Sequence, residues 1–479
     1  MIRWLNLLLI VVLVGELAWF GWTKLSPVPD GKEASENVVR FTVDIPEITF
    51  QDPYYAEELK DLSEKASTSL DSMLELADAL LSGGFYQHAA KHYELVLAEF
   101  PTHMPARFKR AFCLDRSGLI AESTAQYEMV TQSQPIDDSE KQLINLATYS
   151  IGRNYLRLED AEKAEQTFLS HKDFLPSQIQ LAKLLARSGR PREAIAVLDP
   201  LIEEVPFSLE LHFWKARSLE QLDDQLGMLE ELRLVERGAY LLPSDFRKNI
   251  VENIQEKFGF SKRLKQAEKL LEQGNLAGAQ KQLDDILKKA STEPLQETQQ
   301  AIELRGELAM RQQDAQSLSL VAAVMKQRDV NNANTIRFEA AAATVTRNLD
   351  LARQKWEQLT RLESSEMAFR NLEQVYTAAG QPELAKQTKL KRLIATGWRY
   401  FRENRPEDAN KEFLLAIDLD PKSEKAQLGH AEMATYVGDY ASAVSAYRLA
   451  LTVNPYCGPA TRAILFLRLR DIAKQESQW

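Results

Sequence analysis

The sequence predicts an all-α fold, an α-solenoid of stacked helix pairs. Three observations point there. The chain repeats itself at an interval of 34 residues: Ala409, Phe413, Ala416 and Pro421 recur as Ala443, Tyr447, Ala450 and Pro455. Ala409, Phe413 and Ala416 are spaced by four and three, which places them on one face of a helix. No alternating strand pattern or strand–helix–strand succession of the kind a sheet requires follows residue 52. Length and composition agree, since 479 residues with 44% apolar content exceed one compact core and are too apolar for wholesale disorder. They suit an array in which each unit packs only on its neighbours.

The same interval appears near the other end, where Gly84, Tyr93, Val96 and Pro101 recur as Gly118, Tyr127, Val130 and Pro135. Ala77 and Ala111 hold the small position there, and Ala89 becomes Ser123. A 34-residue unit with these residues at these offsets resembles the tetratricopeptide repeat (TPR), a helix–turn–helix module. The resemblance implies a right-handed superhelix whose first helices line a concave, peptide-binding groove. Physically, Gly397 against Ala409 and Ala431 against Ala443 would let antiparallel helices approach, while Phe413 or Tyr447 fills the gap to the next unit. Pro421 and Pro455 stop the second helices, because the residue before a proline avoids the helical region.

Taken in order, residues 1–24 read as a transmembrane signal-anchor. Leu5 to Trp22 is apolar apart from Asn6 and Glu16, Arg3 and Lys24 bracket it, and its length approaches the roughly 20 residues that span a bilayer. Trp4, Trp19 and Trp22 lie towards its ends, where an interfacial aromatic belt belongs. A span at the extreme N-terminus suits export of the chain beyond it, which places the array outside the cytoplasm at a bacterial inner membrane. Residues 25–52 form a linker: Ser26 to Gly31 is a polar, proline-bearing spacer, and Phe41 to Phe50 alternates enough to lie as an extended strip on the first helices.

Residues 53–242 constitute an N-terminal array. It opens with a helix from Pro53 to Lys65, capped by Asp52 with proline at the first position. After Pro135 the period slips by seven and resumes with Gly152, Tyr155, Ala164 and Phe168, then Ala182, Gly189, Ala194 and Pro206, then Ala216 and Leu219. Tyr240 to Phe260 carries one helical stretch, Ser244 to Lys257, and no repeat signature, which marks a boundary or bend. Residues 243–389 form a degenerate array, in which Ala267, Gly274 and Ala279, then Ala340, Ala352 and Trp356, then Tyr376, Gly380 and Ala385 keep some offsets. Residues 390–479 hold the C-terminal pair of repeats and a capping helix, Gly458 to Gln478, preceded by one long shared helix from Pro382 to Asn404.

Little here suggests chemistry. A net charge of -10 with a pI near 5.4 argues against general nucleic-acid binding. Cys113 and Cys457 lie several repeats apart, too far for a disulfide in a solenoid, and Cys113 reads as a core residue. His88 and His92 share a helix face at the spacing of a metal pair, but Ala89, Ala90 and Lys91 between them supply no general base, so a solvated face is the expectation. No phosphate loop, dinucleotide fingerprint, nucleophile elbow or CxxC pair occurs. Neither an enzyme nor a cofactor or metal is expected.

The TPR resemblance places groove positions at Phe108, Phe112 and Arg116, then Tyr149, Arg153 and Arg157, then Lys183 and Arg187, then Phe213 and Arg217. Trp398, Arg402 and Tyr436 form a second candidate surface. Basic groups with aromatics between them suit an acidic peptide through charge-assisted hydrogen bonds and cation–π contacts. The carboxylate clamp of chaperone-binding TPRs is not matched, since Leu74 and Asp78 stand where it needs lysine and asparagine. The expected function is a membrane-anchored scaffold that binds partner proteins or peptides and helps assemble an envelope complex. The alternative is an accessory subunit of an envelope biogenesis enzyme.

Overall fold

A computed structural model describes residues 43–46, 52–206, 208–237, 246–289, 296–329, 332–403 and 405–476. The apolar stretch 5–22 therefore lies outside the described residues, and no helix among the described ones is long and apolar enough to cross a membrane. Those residues form 24 helices and no strand. They divide into two compact units, the first comprising residues up to 184 together with 243–262, the second 185–242 with 263–479.

The first unit begins with α1 (Pro53–Ala66), whose N-terminus is capped as expected: the Asp52 side chain accepts from the Tyr54 and Tyr55 amides, and Pro53 occupies the first turn. Three helix pairs follow: α2 (Leu70–Ser82) with α3 (Tyr86–Glu99), α4 (Met104–Arg116) with α5 (Ile120–Thr131), and α6 (Asp138–Arg157) with α7 (Ala161–Leu169). Next comes α8 (Leu175–Arg187), within which the boundary between the units falls. The described part of the extended strip, Val43 to Pro46, lies on the first helices of the chain, with Asp44 on α3. There Lys91 bonds the Asp44 carboxylate at 2.9 Å, and Val43 packs on the core built from α1 to α4.

The second unit contains α9 (Pro191–Glu204), α10 (Leu209–Gln221) and α11 (Gln225–Arg237), and after the return from the first unit α14 (Leu276–Lys289) to α24 (Gly458–Glu476). The shared helix is real: α20 runs from Pro382 to Arg402, 21 residues, close to the predicted limits. It serves as the partner of α19 (Glu366–Ala378) at one end and of α21 (Pro406–Leu419) at the other.

Two local features explain why pairs form where the repeat signature fades. The turn inside a pair needs one residue in the left-handed region, and Gly84 and Gly118 supply it with φ of 79° and 83°. Glu159, Asp223, Gln313 and Arg347 adopt the same conformation without being glycine. The hydrogen bonds match: the Gly118 and Leu119 amides bond the Asp115 and Leu114 carbonyls, and the Gln313 and Asp314 amides bond those of Met310 and Ala309. This is the same helix-ending pattern, two bonds reaching back over the last turn. Turn geometry thus outlasts the glycine that announces it.

The second feature is how the aromatic rings fill the space beside the small residues. The space at Gly397 is filled by the Phe413 ring, which a Cβ at Gly397 would meet at 2.8 Å, and the same ring lies 2.3 Å from a Cβ at Gly429. Gly152 faces Phe168 at 2.3 Å and Gly306 faces Phe338 at 2.3 Å. The glycine on each of these first helices is a seat for an aromatic ring. Cys113 and Cys457 are free and buried, and burial pushes the Cys113 thiol well up.

Candidate functional site

Within the first unit, α2, α4 and α6 are the first helices of their pairs, and a stretch from residue 246 to 260 of the same chain lies across them. Its central turns form α12 (Lys248–Gln255). This is where the predicted helix from Ser244 to Lys257 appears, shortened at both ends, with 244 and 245 outside the described residues. Sequence alone marks the stretch as a boundary. In the structure it belongs to the first unit.

The stretch runs opposite to the order of the pairs. Phe246 meets Tyr149 of α6 edge-on, with ring centroids 5.9 Å apart. Arg247, only 3% exposed, bonds the buried Asp115 carboxylate of α4 at 2.5 Å and lies over the Phe112 ring at 5.2 Å. Tyr127 and Ser150 hydroxyl oxygens accept weakly from the same guanidinium at 3.4 and 3.5 Å. Ile250 packs against two core clusters of the unit, and Ile254 is buried in the one built from α1 to α4. The Gln255 side chain donates to the Ser82 carbonyl at the end of α2. Beyond α12, Phe260 stacks edge-on with Tyr54 at 5.5 Å, and its amide donates to the Asp52 carboxylate at 2.6 Å.

Charges on this face are arranged in pairs. Asp115 is bonded by Arg157 as well as by Arg247. Asp78 takes both Lys109, at 2.7 Å, and the Tyr93 hydroxyl, at 2.5 Å. Burial, with Lys109 nearby, holds the Lys257 ammonium below its ordinary range. Burial also pushes the Tyr127 hydroxyl up to about 12. The charge at the centre of the face that meets the covering segment is the Asp115 carboxylate, and the group that meets it is the Arg247 guanidinium.

The predicted groove residues distribute as follows. Phe112, Tyr149 and Arg157 meet on this face around Asp115 and the covering segment, and Arg153 lies over the Tyr149 ring at 5.5 Å. Phe108 is fully buried against Tyr127, ring centroids 5.4 Å apart, and Arg116 is exposed with its guanidinium 5.6 Å from Tyr86. Lys183 and Arg187 stand on α8, and Arg187 covers the Trp214 ring at 5.0 Å. Phe213 and Arg217 lie exposed on α10, where Arg217 pairs with Glu220. Elsewhere in the second unit, Trp398 and Tyr436 both contact Phe401 edge-on, at 6.0 and 5.7 Å, with Arg402 exposed beside them. Sequence reasoning missed Asp115, Arg247, Ile250 and Ile254. The only local signal was the apolar spacing of four between the isoleucines.

His92 is buried, its Nδ1 is 2.7 Å from the His88 carbonyl, and its Nε2 accepts from the Asp44 amide at 3.3 Å. The solvated face expected for it is thus corrected to a buried histidine between helix and strip, and burial lowers its pKa. No cluster of three or more metal-ligating side chains occurs among the described residues. A cavity of about 480 Å³ opens between α19 and α20, lined by Arg370, Glu373, Gln374, Thr377, Ala378 and Arg392, and the Arg392–Glu373 ion pair at 2.9 Å borders it.

Residues 179–225 match the tetratricopeptide repeat family. That stretch holds Ala182, Gly189, Ala194, Pro206 and Ala216, positions at which the TPR offsets continue after the first pairs. No curated protein matches the sequence. Among solved structures, the chain is similar to Naa15/Naa10 bound to HypK-THB at 14% identity and a TM-score of 0.26, over 81% of this chain and 64% of that one. It therefore spans less than two thirds of that structure's length. It is also similar to yeast Tom70, at 13% identity and a TM-score of 0.24 over 88% and 93% of the two chains. A third likeness is to the Cut9–Hcn1 hetero-tetramer of APC/C, at 12% identity and a TM-score of 0.25, over 87% of each chain.

Proposed function

We propose that this chain is a membrane-tethered TPR scaffold that binds segments of other proteins and brings them together in an envelope complex. The observation that carries the reading is the first-helix face of the N-terminal unit, which holds a short helical segment through an aromatic, an arginine and two isoleucines. A surface able to hold one such segment has the chemistry of a helix-in-groove receptor. The run from Leu5 to Trp22 supports tethering, which raises the local concentration of the array for partners at the same membrane.

Two measurements test this. Affinity capture of the full chain from solubilised membranes is expected to return a stoichiometric protein partner, and capture with nothing above background would remove the scaffold reading. Protease treatment of permeabilised cells and of inverted inner-membrane vesicles is expected to digest the array in the cells and spare it in the vesicles. The reverse pattern would place the array on the cytoplasmic side.

A further inference from the structure

We propose that residues 246–257 are an internal ligand covering a docking site. The site's external ligand is an amphipathic helix of another protein bearing an aromatic residue and an arginine followed by aliphatic residues three and seven positions on. This deepens the scaffold reading above and rests on it. The pattern is read from the occupant: Phe246 on Tyr149, Arg247 on Asp115 and Phe112, and then Ile250 and Ile254 into the core clusters of α2, α4 and α6.

Three features make the segment exchangeable where an ordinary core helix is not. First, α12 has only eight residues, below the length at which a helix persists in water, so the face holds it in shape. Its outer side, with Asn253, Gln255 and the following Glu256, is exposed. Second, departure leaves both buried carboxylates of the face with partners. Asp115 keeps Arg157, and Asp78 keeps Lys109 and Tyr93. Third, a buried ion pair contributes mainly to selectivity, because desolvation offsets most of its attraction. A partner helix that presents the same arginine restores the same pair, so the exchange is close to balanced and partner concentration decides it. An acidic helix in its place would set carboxylates against Asp115.

The test uses the full chain and a fluorescein-labelled synthetic peptide with the sequence of residues 244–258. The Arg247→Ala/Ile254→Ala double variant, whose own segment is weakened, is expected to bind the peptide at least tenfold more tightly than the wild type. Adding Asp115→Asn to that variant should reverse the gain, and a peptide carrying glutamate in place of its arginine should not bind. Equal affinity of the two proteins, or no binding to a double variant of wild-type helicity, overturns the proposal. So does a double variant or wild type that pairs with itself by exchanging the segment, since the occupant is then a second copy.

If the double variant does not fold, hydrogen exchange on the wild type decides. Amides of 250–255 are expected to exchange at least a hundredfold faster than the central amides of α4, and equal protection of the two overturns the proposal. Failure here with partner capture intact removes the internal ligand and leaves the scaffold, whereas loss of capture removes both.

Discussion

Gly429 shows how much one missing side chain can matter. Phe413 is fully buried, and its ring sits between the backbones at Gly397 and Gly429, with a Cβ at 429 only 2.3 Å from ring carbon Cε1. The ring has a helix on either side and cannot retreat. Gly429→Ala should therefore lower stability by about 1–3 kcal/mol through overpacking, despite alanine's better helix propensity. An unchanged melting temperature would show that the ring can move. Gln313 carries the opposite prediction. It is exposed, holds a φ of 54°, and its amide makes the same turn bond that glycine makes elsewhere. Gln313→Gly should stabilise by about 1 kcal/mol, since glycine accepts the left-handed region without the strain a side chain brings. A lower denaturant midpoint for that variant would sink the idea.

At the scale of elements, the pairs are pinned by aromatic residues that carry a polar handle. Tyr93 of α3 donates to Asp78 of α2 at 2.5 Å, and Tyr447 of α23 (Tyr440–Val453) donates to Glu432 of α22 (Glu424–Tyr436) at 2.6 Å. Trp356 of α18 (Leu349–Leu362) reaches Thr344 of α17 (Ala333–Val345) at 3.0 Å in the same sense. Each bond joins the second helix of a pair to its first, so it fixes their register while the ring fills the seat between them. The pair α10/α11 uses charge instead: Glu231 accepts from His212 at 2.6 Å and Lys215 at 2.8 Å. Burial alone would raise the Glu231 carboxyl, but these two partners outweigh it and hold the group below its ordinary range. With the folded value depressed, the unfolded state binds the proton first as pH falls. This contribution is complete above about pH 4.5 and is lost as pH drops through the lower folded value. The stability gap between wild type and Glu231→Gln should narrow from pH 5 to pH 3, and a constant gap would refute the assignment.

The whole molecule is not the linear series of blocks that its repeats suggest. The chain leaves the first unit near residue 184, builds 185–242 in the second, returns with 243–262, and then completes the second. Two units with separate cores should unfold in more than one step, as multidomain chains do. Asp115→Ala removes the buried carboxylate that Arg247 bonds at 2.5 Å, which should destabilise the first unit by about 3 kcal/mol. In calorimetry one transition should fall and the other stay, and a uniform shift of both would mean that the units melt as one.

The sequence by itself determined the helices, their pairing and most of their limits. The Asp52 cap, the pair turns at Gly84 and Gly118, and the long helix from Pro382 are local properties, written in spacing and in the residues that begin and end a helix. Phe112, Tyr149 and Arg157 were picked out together through the TPR resemblance, and Phe112 and Tyr149 are buried. Only the tertiary structure decided what lies on the first-helix face. Arg247 and Asp115 are 132 residues apart, and nothing in a helix of eight residues with two isoleucines announces which distant surface will bury it. The turn glycine is missing at Glu159, Asp223, Gln313 and Arg347, which make the same turn at exposed positions, where the strain is small enough for the two turn bonds to offset. Periodicity is a local quantity that a sequence carries openly, whereas long-range burial is a choice among many apolar faces that only packing resolves.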